Sequence, residues 1–316
     1  MLTQKNRVTT VFFVCAHLRA MKNTLLDELV RGEWLMSAHN LFSYRHFWDK
    51  SHQPPQMGMT VKEAAAHREA QMLSIFNDEM RPIRPNSIDE IPEGSVAVIH
   101  MRGVMIRYGN YWAWGADELV YQLDWANNIK NIKAIIVVID GPGGSVSAIS
   151  PFIDFALRKQ KPVVAIMDNS LSLHRWIPDA IADYQIAGNT ISARFGSVGV
   201  VSSWMDVRKY WEDLGIFEKE VYPDESSHKN EIWRKLKEDE EAGMQMLRDQ
   251  LKPIAIKFQN AEKAAHPNLI EEEGVLTGRT FSAEDALRVN MIDAIGTMDD
   301  AFQKATLLAE LQAVGV

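Results

Sequence analysis

Apolar positions follow two rhythms along this chain. From Met21 to about Met80 they recur at helical spacing, among aromatics that include Trp34, Phe42, Tyr44, Phe47 and Trp48. Ser51-His52-Gln53-Pro54-Pro55 interrupts that pattern. A second helix is predicted from Thr60, where Thr60-Val61-Lys62-Glu63 has the spacing of a capping box. Arg81-Pro82-Ile83-Arg84-Pro85-Asn86 cannot continue a helix and reads as a linker. From Gly94 the rhythm changes. Val96 to His100 reads as a short β-branched strand, and the residues from Asp117 to about Lys130 as a helix with Leu119, Leu123 and Ala126 on one face. Ala134 to Ile139 is an unbroken apolar run, expected of a strand covered on both faces. A helix over Ser145 to Leu157 and a third buried strand from Pro162 to Met167 follow. Strands and helices alternating at this spacing predict right-handed crossovers and a parallel sheet, an α/β core. Beyond Ser203 the pattern is helical again. Met244, Leu247, Leu251, Ile254 and Phe258 give one long amphipathic face, with a kink expected at Pro253. The expected division is a helical extension over residues 1–90 and an α/β domain over 91–316.

Composition narrows the classes of function. With 34 basic and 42 acidic residues among 316, the net charge of −8 argues against nucleic acid as the main partner, because phosphate binding needs clustered cations. A single cysteine, Cys15, excludes an intramolecular disulfide and a multi-thiolate zinc site. No stretch reaches the roughly 18–20 apolar residues of a membrane span. Val11 to Ala16, preceded by Lys5 and Arg7, is the nearest to a signal-peptide core, but His17 and Arg19 cut it short. Met21 is an alternative start, which would leave the first twenty residues outside the fold.

Chemistry concentrates after the buried strand, at Asp140-Gly141-Pro142-Gly143-Gly144-Ser145-Val146. Glycines between a strand end and a helix start let backbone amides approach a ligand, and the helix dipole favours negative charge there. The turn reads as an oxyanion hole, as a phosphate site, or as a tight turn with no ligand. It lacks both the dinucleotide fingerprint and the Lys-Ser/Thr ending of a P-loop. Further along come Ser170-Leu171-Ser172-Leu173-His174-Arg175-Trp176-Ile177, then Gly196-Ser197-Val198-Gly199-Val200, then Val221-Tyr222-Pro223-Asp224-Glu225-Ser226-Ser227-His228-Lys229-Asn230. Thr277-Gly278-Arg279-Thr280-Phe281-Ser282-Ala283-Glu284-Asp285-Ala286 runs on to Met291-Ile292-Asp293-Ala294-Ile295-Gly296.

In this order the segments resemble the signal-peptide-peptidase family of Ser–Lys proteases, over about Ser95 to Ala301. Val221 to Asn230 is most similar to the branch of phage head maturation (prohead) proteases. The resemblance implies a Clp-protease/crotonase-type fold with a parallel sheet and flanking helices, and peptide hydrolysis through an acyl-enzyme without a cofactor or metal. It implies Ser172 as nucleophile and Lys229 as base. Gly144 and Leu173 would supply the oxyanion amides, and Gly143, Ser145, Gly196 and Ser197 the substrate groove. The family's small residues after the serine are replaced here by Leu173, His174 and Arg175. Ungapped counting from Pro162 and Asp183 lands on Leu173 in place of a serine, and Ser170 is a second candidate. The partners implied are a polypeptide (scaffold, capsid or signal-peptide-like) and further copies of the chain in a ring, in the cytoplasm. The alternatives are a signal peptide peptidase, exported or membrane-associated, and an inactive homologue serving in assembly. An acyl-CoA enzyme on the same fold would use the glycine turn but not Lys229.

Overall fold

A computed structural model describes residues 72–109, 115–204, 206 and 208–315, together with the backbone of 34–35. The helices expected between Met21 and residue 71, and the apolar run at Val11, lie outside these residues. The centre of the fold is a sheet whose path runs β10 (Thr280–Phe281), β9 (Arg194–Gly196), β7 (Val163–Leu171), β5 (Ile132–Gly141), β4 (Ser95–Arg102), β2 (Leu73–Phe76), β3 (Pro82–Ile83). Strands β8 (Tyr184–Ala187) and β11 (Ala294–Ile295) join it beside β7. The pairs β4–β5, β5–β7, β7–β8 and β7–β9 are parallel, while β2–β4, β2–β3 and β9–β10 are antiparallel. This is a mostly parallel α/β sheet flanked by helices, the layer structure expected of the Clp-protease/crotonase type.

The unbroken apolar strands are explained by cover on both faces. Along β5, Ile135, Val137 and Ile139 enter one core and Ala134 and Ile136 the other. Strand β7 divides in the same way, Val163, Ala165 and Met167 against Val164 and Ile166. Helices α1 (Ala116–Asn128), α2 (Ser150–Ala156), α3 (Leu173–Ile181) and α6 (Glu240–Ala265) supply buried side chains to the first core, and α8 (Met298–Ala313) covers the second with Ala301, Phe302 and Ala305. Between these lie α4 (Arg208–Asp213), α5 (Glu231–Glu238) and α7 (Ala283–Arg288).

Three expectations change. The helical pattern carried to about Met80 gives way to strand β2 at Leu73, because its backbone pairs with β4. The stretch read as a linker contains β3, which closes a hairpin with β2; its Pro82 sits in an edge strand, where a missing N–H is tolerated. The sheet therefore starts before the division expected at residues 90–91. The helix expected over Ser145 to Leu157 is split into a 3-10 turn at Val146–Ala148 and α2. Helix α6 spans the expected face from Met244 to Phe258 and contains Pro253.

Candidate active site

The C-terminal ends of the parallel strands bring the candidate residues together. Strand β7 ends at Leu171 and α3 begins at Leu173, so the chain reverses at the single residue Ser172. Its backbone stands at φ 55° and ψ −116°, a conformation an L-residue adopts only when its surroundings impose it. The imposing contacts are visible. The Ser172 N–H donates to Gly196 O at 2.9 Å, and Ser172 O accepts from Arg175 N at 2.8 Å and Trp176 N at 3.1 Å. The hydroxyl does not cap α3, although it occupies the capping position, and the residue is 2% exposed. A serine on a sharp, strained strand-to-helix turn is the geometry of a nucleophile elbow. Ser170, the other candidate, is fully buried in β7 with its hydroxyl donating to His174 O at 2.9 Å.

The glycine turn lies beside this elbow. Gly144 and Ser145 form the two-residue strand β6, which packs against α3. Gly143 O accepts from Met105 N at 3.0 Å, and Ser145 N donates to Met105 O at 2.9 Å, which fastens one edge of the turn. A Cβ on Gly144 would stand 1.9 Å from Met105 O, so glycine is required there by close approach. The opposite edge of β6 is paired antiparallel with β1 (Trp34–Leu35), Leu35 facing Gly144. The Leu173 N–H, first in its helix, has no acceptor among the described residues and is one of the orphan amides of a helix start. Ser145 is buried, its hydroxyl 2.9 Å from that of Ser147. Ser197 follows Gly196 at φ 54° and donates its N–H to Arg279 O at 2.9 Å.

Ser172, Leu173, Gly143, Gly144 and Gly196 thus form one neighbourhood. Lys229 is exposed in the single chain and makes no hydrogen bond to these residues among those described. It lies on an exposed turn before α5, with its N–H donating to Ser226 O at 3.0 Å and no ion pair or hydrogen bond for its ammonium among the described residues. Lys161 has its pKa pushed down to about 8 by burial. It is excluded as the base by position, because its ammonium is bound to Ala126 O and Ile129 O before the start of β7. The nine residues of β7 separate it from Ser172, about 30 Å at 3.3 Å per residue.

The bulky residues after Ser172 do not crowd the elbow. Leu173 enters the core, and His174 and Arg175 are fully buried. Arg175 crosses under α6 and donates to Glu262 at 2.9 Å, Asp179 at 2.8 Å, Gln185 at 2.7 Å, His266 at 2.6 Å and Met291 O at 2.6 Å. Asp179, Glu262 and His266 could by spacing alone hold a metal, but the guanidinium is already their shared cation. Burial raises Glu262 to about 8 against the pull of Arg175. Asp179, whose Oδ2 is buried without a donor among the described residues, interacts with that carboxyl, so a proton on Glu262 can satisfy both. His174 accepts the Gly143 N–H at Nδ1, 3.1 Å away. The sequence predicts a satisfied or surface histidine there; the structure buries it with one nitrogen satisfied. Only the four-residue spacing of Arg175 and Asp179 on α3 could have signalled the ionic network.

A serine on a sharp strand-to-helix turn, beside a glycine turn at the carboxyl ends of parallel strands, is an arrangement that also occurs in serine hydrolases. Residues 156–312 match the family model of peptidase family S49. MJ0651, a candidate protease of Methanocaldococcus jannaschii, is 25% identical over 191 residues, 60% of this chain and 60% of its own length. Protease 4 of Salmonella typhi is 26% identical over 228 residues, 69% of this chain and 35% of its own length. The chain therefore spans 60% of one relative and 35% of the other. Among solved structures, a mutant of the 1510-N membrane-bound stomatin-specific protease, in complex with a substrate peptide, is similar at a TM-score of 0.42 and 16% identity. That match covers 67% of this chain and 80% of that one.

Proposed function

We propose that this chain is a serine endopeptidase. In this reading Ser172 is the nucleophile and Lys229 its base. The amides of Gly144 and Leu173 form the oxyanion hole, and Gly143, Ser145, Gly196 and Ser197 line the groove. The strained elbow at Ser172 carries the reading: it favours Ser172 over its buried neighbour Ser170 and over the register that puts Leu173 at the nucleophile position. A lysine base takes the hydroxyl proton, the oxygen attacks the scissile carbonyl, and two N–H groups receive the charge of the tetrahedral intermediate. The acyl-enzyme formed when the amine leaves is then hydrolysed by water. An extended polypeptide is the substrate class, since the edge of the glycine turn that pairs with β1 accepts an extended strand.

A lysine serves as base only when neutral, which burial favours. Lys229 is exposed in the single chain, and its region carries exposed Trp211, Leu214, Phe217 and Val221. A homo-oligomeric ring that covers this apolar surface would supply the missing burial. Within the class we extend the reading to a phage or prophage head maturation protease, acting in the cytoplasm on scaffold or capsid protein and on itself. Its support is the resemblance of Val221 to Asn230. The exposure of Lys229 favours one competing reading, an inactive assembly component.

The test is cleavage of casein and of the chain itself at about pH 8, where a lysine of lowered pKa is partly neutral, with wild type beside Ser172→Ala, Ser170→Ala and Lys229→Ala. Activity lost with Ser172→Ala and Lys229→Ala but kept with Ser170→Ala is the expected result. Equal activity in wild type and Ser172→Ala would overturn the assignment of the nucleophile. A wild type inert towards both substrates would favour the assembly reading.

A further inference from the structure

We infer that His174 is a positioning residue for this site, holding the glycine turn through its Nδ1 so that the Gly144 amide keeps the direction an oxyanion requires. The inference rests on Ser172 as the nucleophile. The imidazole is fully buried, and the Gly143 N–H donates to Nδ1 at 3.1 Å, so Nδ1 is the unprotonated nitrogen and Nε2 carries the hydrogen. That Nε2–H is buried with no acceptor among the described residues. The ring lies against Gly141, where a Cβ would stand 2.3 Å from Nε2. An apolar side chain would fill the same space without a bare donor. The bond at Nδ1 is what a histidine adds.

That bond acts on the turn. Gly143 has φ 117°, open to glycine and unrestrained by any Cβ, so the hydrogen bonds on either side must hold it. Its N–H is held by His174 and its C=O by the Met105 N–H, at 3.0 Å. In a trans peptide the Gly144 N–H points opposite to the Gly143 C=O, hence away from Met105. With the His174 bond gone, the peptide before Gly143 is free to rotate, and the turn is left to the Met105 bonds and the β1 pairing. His174 also belongs to the first turn after the nucleophile, and its own C=O is held by Ser170 Oγ at 2.9 Å. His174 therefore joins the turn to the elbow.

Two substitutions separate this role from packing. Asn places an acceptor, Oδ1, at the topological position of Nδ1. Gln is nearer to histidine in size but places its polar atoms one bond further out. In the full-length protein, His174→Gln is expected to lower kcat about tenfold to hundredfold with KM changed less than about twofold, the signature of a transition-state effect. His174→Asn is expected to retain most of kcat although it leaves the larger void. Gln performing as well as Asn or better would overturn the inference. A wild type without Ser172-dependent hydrolysis would instead overturn the reading of the nucleophile, and the wild-type control alone decides that. Should His174→Gln fail to fold, nitrogen-15 NMR of the Ser172→Ala protein decides. An unprotonated Nδ1 and a slowly exchanging Gly143 amide are expected, whereas a proton on Nδ1 overturns the assignment.

Discussion

At Ser172 a β-carbon is held where the backbone would prefer glycine. Such a conformation costs about 1–3 kcal/mol per residue and is maintained by the Gly196, Arg175 and Trp176 hydrogen bonds. Replacing the residue with glycine should relieve the strain. We expect Ser172→Gly to be stabilised by about 1 kcal/mol in urea unfolding while losing all hydrolysis. A glycine variant less stable than wild type would mean that the elbow is not strained. Only part of this residue was legible in the sequence. Ser172 and Ser170 are both serines near a strand end, and ungapped counting lands on Leu173; the backbone angles of Ser172 and the buried hydroxyl bond of Ser170 separate them.

At the scale of elements, the site is the meeting of β6 with α3 and of β7 with β9. Strand β6 is only two residues long and stays in place through its bonds to Met105 on one edge and its pairing with β1 on the other. Gly144→Ala would push a methyl group into Met105 O, 1.9 Å from the ideal Cβ position. We expect a loss of about 1–3 kcal/mol, read as a lowered Tm, together with loss of hydrolysis as the Gly144 amide is displaced. An alanine variant with wild-type Tm and activity would show that the turn has slack that the structure does not suggest. Helix α3 is fixed from its other side by Trp176 stacked on Phe258 of α6, ring centroids 4.8 Å apart. The strands β4, β5 and β7 were legible because apolar residues on both faces leave an unbroken run. Strands β2 and β3 were not, since the pairing of their backbones with β4 outweighs a local pattern that reads as helix and linker.

Across the whole molecule, buried titratable groups tie α3, α6 and the chain at Met291 together through Arg175. Glu262, raised by burial to about 8 from an ordinary 4.5, holds a proton in the folded state that the unfolded chain gives up. Its contribution to stability is therefore complete below about 4.5 and is lost as pH rises towards about 8. His174 and His266 act in the opposite sense. Burial lowers each to about 4 from 6.5, so their contribution is present above 6.5 and lost as pH falls towards 4. Glu262→Gln should remove the alkaline decline and leave the acid one. Unfolding free energies measured between pH 4 and 9 would show it, and an unchanged alkaline slope in the variant would refute the protonated Glu262. Among the described residues no helix is long and apolar enough to cross a membrane.

The sequence by itself determined the α/β core, the long amphipathic helix α6 and the neighbourhood of the candidate site, because burial on two faces, helical periodicity and glycines at a strand end are local or periodic signals. Which serine sits on the elbow, where His174 and Arg175 turn, and that Lys229 stays exposed in the single chain were decided only by the tertiary structure. Each depends on groups far apart along the chain, Ser172 on Gly196, His174 on Gly143 and Arg175 on Glu262, whose approach no local pattern records.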